Sequence, residues 1–243
     1  VILKLSAPPA FSKASSFIDA HFPQKKNSLF PETPYEKMLA ALNNLKPREG
    51  YFWQEFCVQG KPKNGCLPRN YYSSDNAKKI DAIRDGIKQL KKAKQISDIE
   101  HSLLLHDLIM AANDVANIAG TYGHFLSKLL GRAKDPLKLR PTVCFSDKSS
   151  NKHKVFCGRA EDLAKNIKTD LCYIDPPYMK RQYAANYHIL ETLAREDEPE
   201  AVGISGLRPW RDQYSNFCTK TKIRDSFHEI ISEMECPRFL ISY

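Results

Sequence analysis

The seven cysteines, at positions 57, 66, 144, 157, 172, 218 and 236, contain no Cys-x-x-Cys pair and no Cys/His cluster with zinc-site spacing. No metal site is therefore expected. An odd, scattered set fits reduced thiols better than a disulfide framework, with Cys57 and Cys66 the pair that could be bridged or bind metal. Long apolar runs are also missing: none approaches the roughly 18 residues that a membrane-spanning helix needs. The opening "VILKLSAPPAFSK" has neither the basic head nor the long apolar region of a secretory signal. These features argue against export and a membrane partner, and place the chain in the cytoplasm. Internal repeats and low-complexity tracts are missing as well.

Of the two charge signs, acid is the scarcer. The 37 Lys and Arg exceed the 28 Asp and Glu, leaving a formal charge of +9 on 243 residues. The excess is local: between Lys61 and Lys94 there are 10 Lys/Arg against 3 Asp, a balance of +7. Such a run is either a solvated helix face or a surface that follows a phosphate backbone. Charge alone does not choose.

Three textures divide the chain, at 1–50, 51–138 and 139–243. In the first, Thr33-Pro34-Tyr35-Glu36 reads as a capping box with proline at the first helical position, opening a helix through "MLAALNNL". In the second, Ile80, Ile83, Ile87 and Leu90 recur at helical spacing. Lys78, Lys79, Arg84 and Lys88 fill the other faces of that helix. A second capping box at Ser97–Glu100 opens a more apolar helix, and a third helix is expected from Tyr122 to Arg132. "GYFWQEFC" reads as packing rather than as a stacking platform. The third texture alternates strand and helix: "HKVFCG", "EDLAKNI", "LCYI", "NYHILETLAR", "RDSFHEIISEM", "RFLISY". That alternation predicts an α/β layer with a mostly parallel sheet, whose ligands bind at the carboxyl ends of its strands.

At such an end lies "DLCYIDPPY", residues 170–178. The prolines fix φ, lack an N–H and hold Asp175 extended. Their carbonyls cannot join a continuing ladder, and Tyr178 adds an aromatic face. An acid, a bare carbonyl and a ring on a stiff loop suit a planar group bearing an NH2, such as the exocyclic amine of adenine. Two acceptors on its hydrogens would favour a more tetrahedral nitrogen, and the tyrosine would stack on a base swung out of the duplex. Methyl transfer to that nitrogen then needs alignment and charge stabilisation rather than a covalent intermediate. The competing reading is a plain strand-ending turn, although a preset four-residue string arises by chance about once in a thousand chains of this size.

The segment "DLCYIDPPYMKRQYAANYHILETLA" resembles the D12 class of adenine-N6 DNA methyltransferases of restriction–modification systems. "YYSSDNAKKIDAIRDGI", "HSLLLHDLIMAANDVANIAGTYGHFL", "LKLRP" and "RFLISY" extend the likeness over roughly residues 35–243. The resemblance implies a partial Rossmann-like, S-adenosylmethionine-dependent α/β sheet, with a helical target-recognition insertion at 51–138. It implies methyl transfer to N6 of a flipped-out adenine at a specific site in double-stranded DNA. A cognate restriction endonuclease would then share the site without direct contact being implied. Asp175, Pro176, Pro177 and Tyr178 become the catalytic loop, with Asp175 also against the cofactor. Glu161 or Asp162, in "GRAEDL", stands where an acid often meets the cofactor's adenine. Lys180, Arg181 and Gln182 become contacts to phosphates beside the flipped base, against the alternative of a solvated loop. Lys78, Lys79, Arg84 and Lys88 become DNA contacts.

The sequence departs from the family pattern in having no Phe-x-Gly-x-Gly anywhere; its early glycines are Gly50 and Gly60. "VILKLS" looks like the helix that follows the family's second strand, so a fragment cut at both ends is expected. RNA adenine methylation, or a catalytically incomplete DNA-binding piece, stays open beside DNA methylation. His188 is expected to be hydrogen-bonded structure rather than a general base. Cys172 reads as an inert thiol in an apolar run, since the Pro-Cys dipeptide of cytosine-C5 chemistry does not occur.

Overall fold

The computed structural model describes residues 11–21, 33–143, 154–178 and 180–242; "VILKLS" and Cys144 lie outside these. In chain order the first helices are α1 (Ser15–His21), α2 (Pro34–Asn43), α3 (Tyr51–Phe56), α4 (Ser74–Lys92), α5 (Asp98–Asp114) and α6 (Gly131–Lys134). There follow α7 (Ala160–Ala164), β1 (Cys172–Ile174), α8 (Tyr183–Asn186), α9 (His188–Arg195), α10 (Ile223–Glu233) and β2 (Phe239–Ile241). The chain forms two units: a helical one from residues 1–148 and 187–209, and an α/β one from 149–186 and 210–243. No described helix is long and apolar enough to cross a membrane.

In the helical unit both capping boxes form. Glu36 N donates to Thr33 Oγ1 while Thr33 N donates to Glu36 Oε2, at 3.2 and 2.8 Å, and Ser97 and Glu100 repeat the exchange at the start of α5. The apolar stripe of α4 (Ile80, Ile83, Ile87, Leu90) is buried, against the apolar side of α5 with Leu104 and Leu108. Each such side chain contributes about 1.5–3 kcal/mol by leaving water. "GYFWQEFC" is core, with Tyr51, Phe52 and Phe56 buried. Its short helix α3 is capped from a distance: Phe52 N and Trp53 N both donate to the Asp81 carboxylate of α4, at 2.9 Å.

The largest buried side chain in this unit is an arginine. Arg69 pairs with Glu55 at 2.7 Å, both essentially without solvent contact. Its remaining donors reach the carbonyls of Glu55, Ala201, Gly203 and Ile204 and the side chain of Asn64. One guanidinium thereby joins α3, the 60–70 loop and the 201–207 hairpin. Gly206 stacks on it: a Cβ there would come within 2.9 Å of Arg69 Cδ, and φ is +67°. Only glycine suits that position.

Two sequence expectations fail here. Residues 122–130 form no helix; the side chain of Asn117 satisfies that backbone instead, donating to Asn70 O and Leu126 O and accepting from Leu130 N. The stretch read as a single helix, "NYHILETLAR", breaks at Tyr187 into α8 and α9, and α9 packs on α5 within the helical unit.

In the α/β unit β1 and β2 pair in parallel, with Cys172 opposite Phe239, Tyr173 opposite Leu240 and Ile174 opposite Ile241. Ile174 packs with Ala164, Phe217 and Ile230. The strand is buried on that face alone, because Tyr173 is 59% and Leu240 57% exposed. Residues 154–158 of the expected strand "HKVFCG" are exposed and unpaired in any sheet. The architecture is mixed helix and sheet with a small parallel sheet, as an α/β layer requires.

Replacing Arg69 by Met should cost about 3–5 kcal/mol, because Glu55 is left buried and unpaired. Adding Glu55→Met should recover part of that loss in thermal or denaturant melting. If the double variant is as unstable as Arg69→Met, the stranded charge is not the cause.

Candidate active site

The ladder of β1 ends on Ile174, whose carbonyl accepts from Ser242 N at 3.0 Å. The next residue is Asp175, exposed, with a carboxylate that makes no hydrogen bond or ion pair among the described residues. Pro176 is buried and Pro177 half-buried, so the stiff part of the turn is anchored. The carbonyls of Asp175, Pro176 and Pro177 accept no backbone hydrogen bond among the described residues. Tyr178 presents its ring at 49% exposure. A carboxylate, unengaged carbonyls and an exposed ring within four residues form an acceptor-rich, donor-poor surface with an aromatic wall. It suits a planar donor.

The loop's exit is held tightly. Arg181 N donates to Tyr178 O at 3.1 Å, and Lys180 takes a left-handed conformation, φ 64°, to donate its N–H to Cys218 O. Gln182 Nε2 donates to Ser215 O at 3.0 Å while Gln182 Oε1 accepts from Ser215 N at 2.9 Å. Both ends of the amide are engaged, so Gln182 clasps the loop to the 215–218 turn rather than offering itself to a phosphate. Nothing in the local sequence signals a backbone partner 33 residues away. Lys180 and Arg181 are exposed.

Glu161 and Asp162 belong to the first turn of α7 but differ. Glu161 is buried, and its Oε1 accepts from Ser226 Oγ of α10 at 2.8 Å and from Arg159 at 3.4 Å. Asp162 is exposed and 3.9 Å from Arg159. Of the three predicted carboxylates Asp175 and Asp162 are exposed, whereas Glu161 Oε1 ties α7 to α10.

The two thiols beside the loop are not activated as nucleophiles. Cys172 is half-buried beside the loop, and burial raises its pKa, as it does for Cys218, whose Sγ donates to Arg181 O. Among the described residues six cysteines are free and no group of three His, Cys, Asp or Glu could hold a metal.

The other sequence-predicted residues lie in the helical unit, largely engaged there. Arg84 is buried, not on a basic face: it reaches Glu198 and the carbonyl of Asp197 and covers the rings of Tyr51 and Phe52. Lys79 donates to Leu45 O at 2.6 Å, and Lys78 pairs with Glu49 at 2.8 Å above Trp53. Lys88 is exposed but donates to Glu196 O. Cations that a helical projection assigns to a face are consumed by partners distant in sequence. His188 is fully buried, its Nε2 is 3.1 Å from Tyr122 O, and burial lowers its pKa to about 4.

Comparisons with known proteins give the chain's family. A family model described as D12 class N6 adenine-specific DNA methyltransferase matches residues 19–238. The chain belongs to that family. It is 36% identical over 207 residues to the Type II methyltransferase M.NlaIII of Neisseria lactamica, covering 85% of this chain and 59% of the relative. It is 38% identical over 182 residues to M.FokI of Planomicrobium okeanokoites, covering 75% and 28% respectively. With M.CviAII of Paramecium bursaria Chlorella virus 1 it shares 34% identity over 175 residues, 72% of this chain and 51% of that one. The D12 chain thus spans between about a quarter and three-fifths of these relatives' lengths. No solved structure matches it.

Two outcomes test the description of this D12 chain. Gln182→Ala should open the loop's exit, costing about 1–3 kcal/mol locally through the unpaired Ser215 groups. Hydrogen exchange at the Ser215 amide should accelerate; unchanged protection would show that the clasp is not needed. Because the folded-state pKa of His188 lies below its usual 6.5, its neutral form contributes stability that is present above pH 6.5. That contribution, on the order of 3 kcal/mol, is lost as pH falls towards 4. Melting between pH 7 and 4 should therefore drop less in His188→Gln than in the parent, and an equal drop would contradict it.

Proposed function

We propose that the protein is a site-specific DNA adenine-N6 methyltransferase of a restriction–modification system. The observation that carries this reading is Asp175: an exposed carboxylate with no partner among the described residues, held at the carboxyl end of β1 by prolines whose carbonyls accept no backbone hydrogen bond among those residues. At that edge of a Rossmann-like sheet an active site is expected.

The chemistry follows from the acceptors. The amine of a flipped-out adenine donates one N6–H to Asp175 and the other to the Pro176 carbonyl. Both bonds pull the nitrogen away from conjugation with the ring and direct its lone pair. Tyr178 supplies a stacking surface that repays part of the cost of leaving the duplex. When bound, S-adenosylmethionine supplies an electrophilic methyl on a cationic sulfur. The negative charge of Asp175 favours the positive charge that builds on N6, and the surplus amine proton is received at its carboxylate or by solvent. No nucleophilic side chain is needed, in keeping with the raised thiol pKa values.

For the cofactor, Asp175 and Asp162 are the exposed members of the three predicted carboxylates, and Glu161 fixes α7 beneath Asp162. Lys180 and Arg181 sit directly after the loop, where their charges would reach phosphates flanking the extruded base. The partners are double-stranded DNA and, through the shared target sequence, an endonuclease. A cytoplasmic setting is supported by the scattered, odd set of cysteines.

In the full-length protein, Asp175→Ala should lower methyl transfer to duplex DNA by at least about a hundredfold while DNA retention is kept. Incorporation of labelled methyl groups into duplex DNA, with RNA of the same sequence alongside, measures this. An active alanine variant would refute the role of Asp175, and methylation of RNA alone would overturn the substrate.

A further inference from the structure

Of the α4 cations, Lys78, Arg84 and Lys91 are ion-paired, and Lys79 and Lys88 are tethered to carbonyls. Three loops meet in this unit: residues 60–70, 121–130 and 201–208. Arg69 joins the first to the third through the carbonyls of Ala201, Gly203 and Ile204. Ser205 joins the third to the second, donating to Gly123 O at 2.7 Å, and Asn70 joins the first to the second through Ser127 O. Tyr71 closes the junction, its hydroxyl lying 2.7 Å from Tyr122 O and 3.1 Å from Ser205 O.

The surface these loops present has a distinctive composition. None of the three contains an Asp or Glu. Lys61, Lys63 and Lys128 are exposed and have no ion-pair partner among the described residues. Amid these cations stand apolar side chains that are not packed away: Ile204 is 79% and Leu67 86% exposed. Ile204 lies in the turn of a hairpin closed by two hydrogen bonds between Val202 and Leu207, with glycines in left-handed conformation at 203 and 206. The hairpin is stiff because the buried guanidinium holds three of its carbonyls.

We propose that this three-loop surface is where the helical unit reads the target duplex. Lys61, Lys63 and Lys128 contact phosphates, and Ile204, with Leu67, makes the apolar contact with base edges or a base step. The proposal rests on the DNA-methyltransferase reading above. A narrow, rigid tip fits a groove of the duplex, and exposed Ile or Leu beside cations is the chemistry of apolar contact with thymine methyls or of a wedge between stacked bases. The three loops bring no carboxylate of their own against a polyanion. The hairpin lies outside 51–138, so the recognition surface includes a segment that the sequence division left out.

The test uses the full-length protein and two duplexes, one carrying the site that the parent protein methylates and one with that site scrambled. Binding is titrated from 50 to 200 mM salt, with thermal melting as the control for folding. Lys61, Lys63 and Lys128 changed together to Gln should reduce the slope of log K against log salt by about 3 at unchanged melting temperature. Ile204→Ser should lower the preference for the methylated site by about tenfold with the slope kept. A parental slope in the triple variant would overturn the phosphate role, and parental discrimination in Ile204→Ser would overturn the reading role. If the parent itself neither methylates nor retains duplex DNA, it is the proposed function that falls first.

Discussion

The buried pair of Arg69 and Glu55 is the constraint on which the helical unit most depends. Removing two charges from water is costly, and their mutual attraction offsets the cost only when every remaining donor and acceptor is satisfied. Arg69 meets that condition by drawing in carbonyls from a hairpin more than 130 residues away. The need to satisfy one guanidinium therefore dictates where 201–207 must lie, why Gly206 must be glycine, and which loops end up side by side. A hydrophobic pair of the same volume would fill the space without specifying those partners.

The strand-ending loop obeys the opposite logic. Where Arg69 is valuable because nothing is left unpaired, Asp175 and the proline carbonyls are valuable because they are left unpaired among the described residues. Such a surface persists only if the backbone cannot collapse onto it. The prolines remove the N–H groups that would otherwise compete for those acceptors, Pro176 is buried as an anchor, and Gln182 fixes the other end. The open acceptors at the tip are maintained by saturation of hydrogen bonds at its base.

Much of this was legible from the chain alone, and the reasons differ by element. The capping boxes at Thr33 and Ser97 could be read because their partners are three residues away. The end of β1 could be read because two prolines forbid a continuing ladder. What escaped were features whose partner is remote. Helical spacing put Arg84 on a basic face, yet Glu198 and the rings of α3 claim it. The 122–130 stretch has helix-forming residues, but Asn117 offers its backbone a better set of bonds. Gln182 looked like a surface amide until Ser215 was placed opposite it. The break at Tyr187 was hidden because the residues on both sides favour helix, and only packing on α5 decides where α9 goes.

That break has a consequence for how such a protein can change over time. The chain leaves the α/β unit at 186, contributes 187–209 to the helical unit and returns at 210, so neither unit is one continuous stretch of gene. A single recombination event cannot exchange the helical unit as a cassette: transplanting the part up to residue 148 alone would bring in a foreign Arg69 without the hairpin carbonyls that it was selected to hold. Grafts meant to alter specificity would have to move both segments together. Inheritance by simple crossover would favour change at individual loop positions instead.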